Sequence, residues 1–591
     1  MKNNLPDFED FSSAAKRNLE QVFTDSYDSS YRKDTLLFVK KYPEQVEDAF
    51  GHNLKFGTGG IRALMGVGTN RLNEYTVEKI TQGLASYLCK TVDKPSLSVF
   101  VSYDNRTNSL FFAKLCAKVL AGNGVSVYIT KNLRPTPLCS FGCRHYGCSA
   151  AIMITASHNP PEYNGYKVYW ADGGQVTPPH DLGIVEEVAK IEGPEEVQRE
   201  DLKSSLIHWV EQELDEAYFA KAQALFIRLF GKRRRKSRLS IVYSNLHGTG
   251  ITTIPRVLGD VGFSQISYVK GQLSTDGEFP EAKNPNPENA NSLEPGIQLM
   301  QEKEADLFLA TDPDADRVGV VAMHNETPIY FSGNQIACIC LDFLLHHKKF
   351  FPEKGAFIKS VVTTDLFSAM CRAHGYPCYE VPTGFKYIAE KIAKWEQTSE
   401  HNFLFGAEES LGYLLGDFVR DKDAALASGL IALATEYAKK QKLSLYDLLK
   451  KIYASYGVYR EHLFSIPFPV EKRETMQGMV TALRCAPKSS FATFRTKRVE
   501  DYEQGLVLDL ATDLTSPLPF PKSTMVRYLL EKSSSEVPCS FALRLSGTEP
   551  KIKCYLSCHR KEFSSVDSAI ADCDQDLEAL EALLRKELHQ G

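Results

Sequence analysis

Residues 150–161 constrain this chain most. Ala150-Ala151-Ile152-Met153-Ile154 is short, apolar and β-branched enough for a buried strand, and it runs into Thr155-Ala156-Ser157-His158-Asn159-Pro160-Pro161. A strand that ends in a small polar turn presents side chains at its C-terminal edge, where open α/β sheets place their chemistry. Ser157 lies at that edge beside His158, on a turn stiffened by two prolines. Lys167 follows in Tyr166-Lys167-Val168-Tyr169, which reads as a returning strand. A presented hydroxyl with an imidazole and an amine nearby suits a nucleophile. Taken alone, the same residues also suit a Ser-His-Asn turn capping the next segment.

The rest of the chain supplies further polar turns at strand ends. The first fifty residues read as helical. Lys55-Phe56-Gly57-Thr58-Gly59-Gly60-Ile61-Arg62 then offers backbone N–H groups that can converge on an anion, with Arg62 as a bidentate partner, although a plain loop fits the same residues. Strands are expected at Leu97–Val101 and Val125–Ile129, with Asp104-Asn105-Arg106 after the first and a helix through Phe112–Ala117 between them. A helical segment is expected from Trp209 to Phe230. The basic run Lys232-Arg233-Arg234-Arg235-Lys236 reads as a solvated loop before the strand Leu239–Tyr243, and Asn245-Leu246-His247-Gly248-Thr249-Gly250 as a tight strand-to-helix passage.

Leu307-Phe308-Leu309-Ala310-Thr311 delivers Asp312-Pro313-Asp314-Ala315-Asp316-Arg317, with carboxylates at alternate positions that can face one hard divalent cation, although a capping or solvated acidic loop without metal fits the same residues. An EF-hand is excluded, because Arg317 and Met323 occupy the sixth and twelfth loop positions where glycine and glutamate belong. Further on, Val381-Pro382-Thr383-Gly384-Phe385-Lys386 presents Lys386 on a turn. Phe405-Gly406-Ala407-Glu408-Glu409-Ser410 sets Glu408 and Ser410 two apart, so that both can point the same way and hydrogen-bond one ligand, although an acidic cap at a helix N-terminus fits the same residues. Arg420-Asp421-Lys422-Asp423 reads as a charged turn before an alanine-rich helix. Leu543-Arg544-Leu545-Ser546-Gly547-Thr548-Glu549-Pro550-Lys551-Ile552-Lys553 combines hydroxyl, backbone and cationic donors suited to a phosphate monoester. Leu577–Leu588 reads as an exposed amphipathic helix with leucines at helical spacing.

Size and charge exclude several classes. At 591 residues the chain exceeds one hydrophobic core. A net charge of -5 gives no general pull toward nucleic acid or anionic membrane, and no apolar run is long enough to span a bilayer. The start lacks a secretory core, and 14 scattered cysteines suit reduced thiols, so a cytoplasmic enzyme is expected. Cys139, Cys143, His145 and Cys148 match no common zinc spacing, and helical packing explains the first two as well.

Four of these stretches, in this order, resemble the active-site loops of the α-D-phosphohexomutases, the phosphoglucomutase/phosphomannomutase family, in the branch that includes phosphopentomutases. They are Thr155–Pro161 with Tyr163-Asn164-Gly165-Tyr166-Lys167, the Asp312–Arg317 loop, the Glu408–Ser410 loop and Arg544–Lys551. The resemblance implies four α/β domains: three related three-layer units and a smaller C-terminal α+β domain, with limits at 1–204, 205–327, 328–458 and 459–591. It implies a phosphoserine at Ser157, Mg²⁺ on Ser157, Asp312, Asp314 and Asp316, and Arg62, His158 and Lys167 as catalytic neighbours. Arg106 falls at a position similar to one where the family places a structural arginine near the site. Arg317, Lys386, Glu408, Ser410, Arg544, Ser546, Gly547, Thr548 and Lys551 would bind the phosphosugar. The implied reaction interconverts hexose 1-phosphate and hexose 6-phosphate, glucose first, through a bisphosphorylated sugar such as glucose 1,6-bisphosphate. Mannose or pentose phosphates fit the same mechanism. A metal-dependent sugar phosphatase or a non-enzymatic sugar-phosphate sensor would use the same residues. No nucleic-acid or membrane partner is expected.

Overall fold

The computed structural model describes residues 11–54, 60–94, 96–231, 236–468, 473–532, 537–546 and 551–589. The chain forms two compact units. One comprises residues 1–321, 389–398 and 412–432, and the other residues 322–388, 399–411 and 433–591.

In the first unit, helices Ser13–Val22, Ser29–Lys41 and Val46–Phe50 bury Leu19, Val22, Val39 and Phe50 in a small core of their own. A six-stranded sheet follows: β1 (Ile61–Leu64), β2 (Ser98–Tyr103), β3 (Ser126–Thr130), β4 (Ala150–Ile154), β5 (Tyr163–Trp170) and β6 (Ile207–Val210), in the order β1-β5-β4-β2-β3-β6. β4 is buried at every residue, as a strand covered on both faces must be. It lies parallel to β2, while β5 returns antiparallel to it and pairs Lys167 with Met153. The helix expected from Trp209 begins only at Glu213, because Trp209 belongs to β6, whose backbone pairs with β3. Cys139 and Cys143 are buried on the helix Thr136–His145.

Three sets of parallel strands share one frame. In the first, β3 lies on one side of β2 and β4 on the other. In the second, β7 (Ser240–Ser244) is flanked by β8 (Gln265–Tyr268) and β9 (Leu307–Thr311). β10 (Val318–His324) and β11 (Thr327–Phe331) come next in the chain. In the third, β12 (Gly355–Ser360) is flanked by β13 (Cys378–Val381) and β14 (Asn402–Glu408). The chain therefore reverses direction across the sheet between the first and third strand of each frame. Loops that leave the C-terminal ends on either side of such a reversal diverge and open a crevice for ligands. The Ser157 loop leaves β4, the triple-aspartate loop leaves β9 and the Glu408 loop leaves β14.

The last domain is antiparallel. Strands Val458–Pro467, Lys551–Arg560, Val537–Leu545, Met525–Lys532, Phe494–Asp501, Leu506–Asp509 and Leu514–Pro517 lie in that order. The helix Val566–His589 buries Leu577, Leu580, Leu584 and Leu588, so the leucine stripe expected to be exposed is a packed face. Among the described residues, no helix is long and apolar enough to cross a membrane.

Candidate active site

Ser157 stands in a left-handed conformation, φ 52°, which a residue with a side chain rarely adopts without support. The support is local. Its N–H donates to Thr155 Oγ1 at 2.8 Å, and its carbonyl accepts from Arg106 Nη2 at 2.6 Å. The same guanidinium donates to the carbonyls of Pro160 and Tyr163 at 2.8 Å each and to that of Asn159. Arg106 is itself buried against Asp104, whose Oδ1 accepts from Ser109 at 2.7 Å. One arginine thus gathers four carbonyls of the serine loop. Gly165 on β5 lets the loop close down, since a Cβ there would stand 2.3 Å from the Thr155 carbonyl oxygen.

The Ser157 hydroxyl donates to Asp312 Oδ2 at 2.7 Å and lies 3.3 Å from His158 Nδ1. Asp312, Asp314 and Asp316 are all buried, and one oxygen of each comes within 4.8 Å of the others. Asp312 Oδ1 accepts from the N–H groups of Asp316 and Arg317 at 3.1 and 3.0 Å. Asp314 Oδ2 accepts from Thr136 and from Lys167 Nζ, both at 2.7 Å. Lys167 also reaches Asp316 Oδ2 at 3.3 Å, and Lys422 reaches the same oxygen at 3.2 Å while pairing with Asp421 at 3.0 Å. Among the described residues, the Oδ1 atoms of Asp314 and Asp316 are buried without a hydrogen-bond partner, and Arg317 Nε stands 3.9 Å from that of Asp316. Hard carboxylate oxygens left orphaned in a buried cluster fit a divalent cation such as Mg²⁺.

The electrostatics agree with that fit. Burial pushes the Asp312 carboxyl well up, and the neighbouring charges of Asp314 and Asp316 add to the shift. Burial also opposes ionisation of Asp314, but the Lys167 ion pair and the hydrogen bonds from Lys167 and Thr136 overcome it and hold this carboxyl far below the usual range. Lys167 follows the same balance, because burial disfavours its charge and Asp314 and Asp316 restore it, leaving a firmly protonated ammonium. Arg62, half-buried at the start of β1, donates to Asn159 Oδ1 at 3.4 Å and has its pKa lowered by burial and by the nearby Arg317.

The triple-aspartate loop rests on the passage after β7. Thr249 donates to the Pro313 carbonyl through its N–H at 2.7 Å and its hydroxyl at 2.8 Å. Ala315, where the chain turns back toward Asp316, takes φ 49°.

In the second unit, Glu408 ends β14 and accepts from the Gly384 N–H at 3.0 Å, which ties the two loops expected to meet a sugar. Lys386 is buried in the first turn of the helix Phe385–Thr398 rather than on a free turn. Ser360 donates to Glu409 at 3.1 Å. Arg544 pairs across the sheet with Lys553, and Lys551 lies two residues from Lys553 on the same face. Like charges set opposite each other destabilise a strand pair unless an anion or carboxylate answers them. The Ser546 N–H closes the strand ends by donating to the Lys551 carbonyl at 3.0 Å. Gly547 and Thr548, and Lys55–Gly59 of the earlier glycine-rich turn, lie outside the described residues.

Sequence reasoning gave Thr136, Asp421 and Lys422 no place at the triad. Arg420-Asp421-Lys422-Asp423 was legible only as a charged turn, yet all four residues are buried. Four consecutive charged residues just before an apolar helix were the available signal, since burial of charge demands partners.

Sequence models of the phosphoglucomutase/phosphomannomutase α/β/α domains I, II and III match residues 53–195, 216–325 and 332–456. A phosphoglucomutase of Staphylococcus epidermidis is 34% identical over 559 residues, 94% of this chain and 99% of that one. One of Staphylococcus haemolyticus is 36% identical over 545 residues, covering 91% and 97%. A putative phosphomannomutase from Thermus thermophilus superposes with a TM-score of 0.63 at 20% identity, over 89% of this chain and 99% of that one. The open form of pp63/parafusin, a phosphoglucomutase from Paramecium, gives 0.62 at 17%, over 90% and 96%. The two solved structures bear on the fold. The family models and the relatives at 34–36% identity define a phosphosugar mutase, an isomerase. The chain belongs to the phosphoglucomutase/phosphomannomutase family of α-D-phosphohexomutases.

Proposed function

We propose that the chain interconverts glucose 1-phosphate and glucose 6-phosphate through a phosphorylated Ser157. The observation that carries this reading is the Ser157 hydroxyl at 2.7 Å from Asp312, inside a buried carboxylate triad. The names of the relatives at 34–36% identity support glucose as the sugar.

Phospho-Ser157 donates its phosphoryl group to a free hydroxyl of the sugar monophosphate, and the serine oxygen leaves with the bond electrons. The bisphosphorylated sugar turns, and its other phosphate returns to Ser157. Asp312, Asp314, Asp316 and an oxygen of the serine phosphate would hold Mg²⁺, which supplies positive charge to the phosphoryl oxygens when bound. Lys167, firmly charged, steadies the leaving serine oxygen, and the proton of the attacking sugar hydroxyl passes to that oxygen through Lys167 or, as the second choice, His158, while Arg62 and Arg317 hold the transferring group in place. Glu408, Ser410 and Lys386 hold the sugar ring in either orientation. Arg544, Ser546, Gly547, Thr548 and Lys551 hold the phosphate that is not reacting.

The test is conversion of glucose 1-phosphate with Mg²⁺ and trace glucose 1,6-bisphosphate, with inorganic phosphate followed in the same tube. Ser157→Ala should abolish conversion and remove the acid-stable phosphate from the protein. Turnover surviving in this variant would sink the phosphoserine route. Release of phosphate without isomerisation would favour a phosphatase, and conversion of mannose or ribose 1-phosphate alone would move the sugar.

A further inference from the structure

A second buried cluster lies in the C-terminal domain, between the antiparallel sheet and the helix Val566–His589. Cys539 and Cys558 stand directly opposite each other on neighbouring strands, with their sulfurs 3.1 Å apart. Cys573 on the helix hydrogen-bonds to Cys558 as well. All three thiols are buried, as is Asp576 one turn further along the helix. Arg560 Nη1 donates to Cys558 Sγ at 3.0 Å, and Arg560 Nη2 pairs with Asp576.

Two chemistries suit such a cluster, metal binding and thiol oxidation. The cations decide between them. Asp576 meets the Cys539 and Cys558 thiols within metal-ligand reach, but Arg560 holds its Oδ2 and Lys532 holds its Oδ1. A guanidinium also occupies the approach to the Cys558 sulfur. A metal would have to displace both cations, whereas a Cys558 thiolate gains from Arg560.

We propose that Cys558 is an oxidation site: hydrogen peroxide converts it to the sulfenic acid, and Cys539 resolves it to a Cys539–Cys558 disulfide. In the first step the Cys558 thiolate forms an S–O bond as the peroxide O–O bond breaks. The departing hydroxide takes up a proton and leaves as water. In the second step the Cys539 sulfur attacks the Cys558 sulfur, the S–O bond breaks, and the sulfenic oxygen leaves with the thiol proton as a second water. Two thiols are oxidised by two electrons and one peroxide is reduced. Cys558 is the sulfur that loses its proton first, because hydrogen bonds from Cys539 and Cys573 stabilise its thiolate against the cost of burial, and Arg560 adds to them. Arg560 is a positioning residue here.

The protein with its 14 cysteines would be treated with graded hydrogen peroxide, alkylated under denaturing conditions and mapped by mass spectrometry. A Cys539–Cys558 bridge that dithiothreitol reverses is expected. Arg560→Gln should slow loss of the Cys558 thiol by about tenfold, with Arg560→Lys retaining part of the rate. In a Cys539→Ser, Cys573→Ser variant, dimedone should label Cys558, which reads the sulfenic acid without requiring the bridge. The proposal is overturned if Cys558 stays reduced while the exposed Cys89 and Cys485 are consumed, or if Arg560→Gln oxidises at the unaltered rate. It is overturned equally by one equivalent of zinc in the purified protein that peroxide releases, because the thiols would then be metal ligands.

Discussion

Ser157 shows how much a single residue must be given to sit where it does. Its left-handed backbone costs on the order of 1–3 kcal/mol, so the surroundings must over-determine it. Arg106 does most of this, with three of its four carbonyl contacts between 2.6 and 2.8 Å. A lysine at this position has one ammonium and no planar fork, and it cannot reach carbonyls spread from Ser157 to Tyr163. Arg106→Lys should therefore leave buried carbonyls unpaired at about 1–3 kcal/mol each and lower the melting temperature. Because the loop loses its register, kcat should fall by about a hundredfold with KM little changed, as misplacement of a reacting group by about 1 Å costs that much. Steady-state kinetics beside a thermal melt check both. Unaltered kcat in a destabilised protein would leave Arg106 with a folding role alone.

At the scale of elements, the repeated frame puts each functional loop after the third strand of its set, and neighbouring loops buttress one another. Gly248 makes one such contact, since a Cβ there would lie 2.3 Å from Pro313 Cα, backbone against backbone. Gly248→Ala should push the triple-aspartate loop aside, at an overpacking cost of about 1–3 kcal/mol, and raise the Mg²⁺ concentration for half-maximal activity. A Mg²⁺ titration of activity tests this, and an unmoved midpoint would show that the loop does not depend on its prop. The individual strands β2, β3, β4, β7 and β9 were legible in the sequence because each is an apolar run that ends in a polar turn. The Ser157 and Asp312 loops were legible because their residue types are unusual together. The frame itself was not, because parallel strands pair across long intervening segments and no local pattern records which neighbour lies on which side. For the same reason Thr136 and Lys422 could not be assigned to the triad, being 178 and 106 residues from the aspartates they touch.

Asp423, at the start of the helix Ala424–Lys440, belongs to this scale too. It accepts from the N–H groups of Ala425 and Leu426 at 2.9 and 3.0 Å and from the Tyr218 hydroxyl at 2.7 Å, yet burial still pushes its carboxyl up to about 6. Because the folded carboxyl binds its proton more tightly than the unfolded one, ionisation is disfavoured in the fold. Its contribution is intact below the ordinary value of 3.8 and is lost as pH rises toward about 6. At about 1.36 kcal/mol per unit of pKa, that loss reaches roughly 3 kcal/mol. Asparagine keeps the two accepted bonds and can donate to Tyr218 without carrying charge. Asp423→Asn should thus raise the melting temperature at pH 7.5 and change it much less at pH 4. Equal shifts at both pH values would remove Asp423 as the titrating group.

For the molecule as a whole, a net charge of -5 says nothing of how charge is spent. Arg62, Lys167, Arg317 and Lys422 surround Asp312, Asp314, Asp316 and Asp421, so cations and carboxyl groups match in number. Adding one divalent cation turns that balance positive, which suits a phosphate dianion and relieves the pressure that pushes the Asp312 carboxyl up. The metal should also stabilise the fold, because the triad is assembled only in the native chain. By linkage, Mg²⁺ at a hundred times its dissociation constant adds about 2.7 kcal/mol. The melting transition that reports the first unit should rise with Mg²⁺ and fall back on chelation. Asp316→Asn, which keeps the shape but removes one orphaned oxygen's charge, should flatten the response. A melt that ignores Mg²⁺ in the native protein, or a full response in Asp316→Asn, would mean that the ion is held elsewhere and that the triad's carboxylates serve only Lys167 and Lys422.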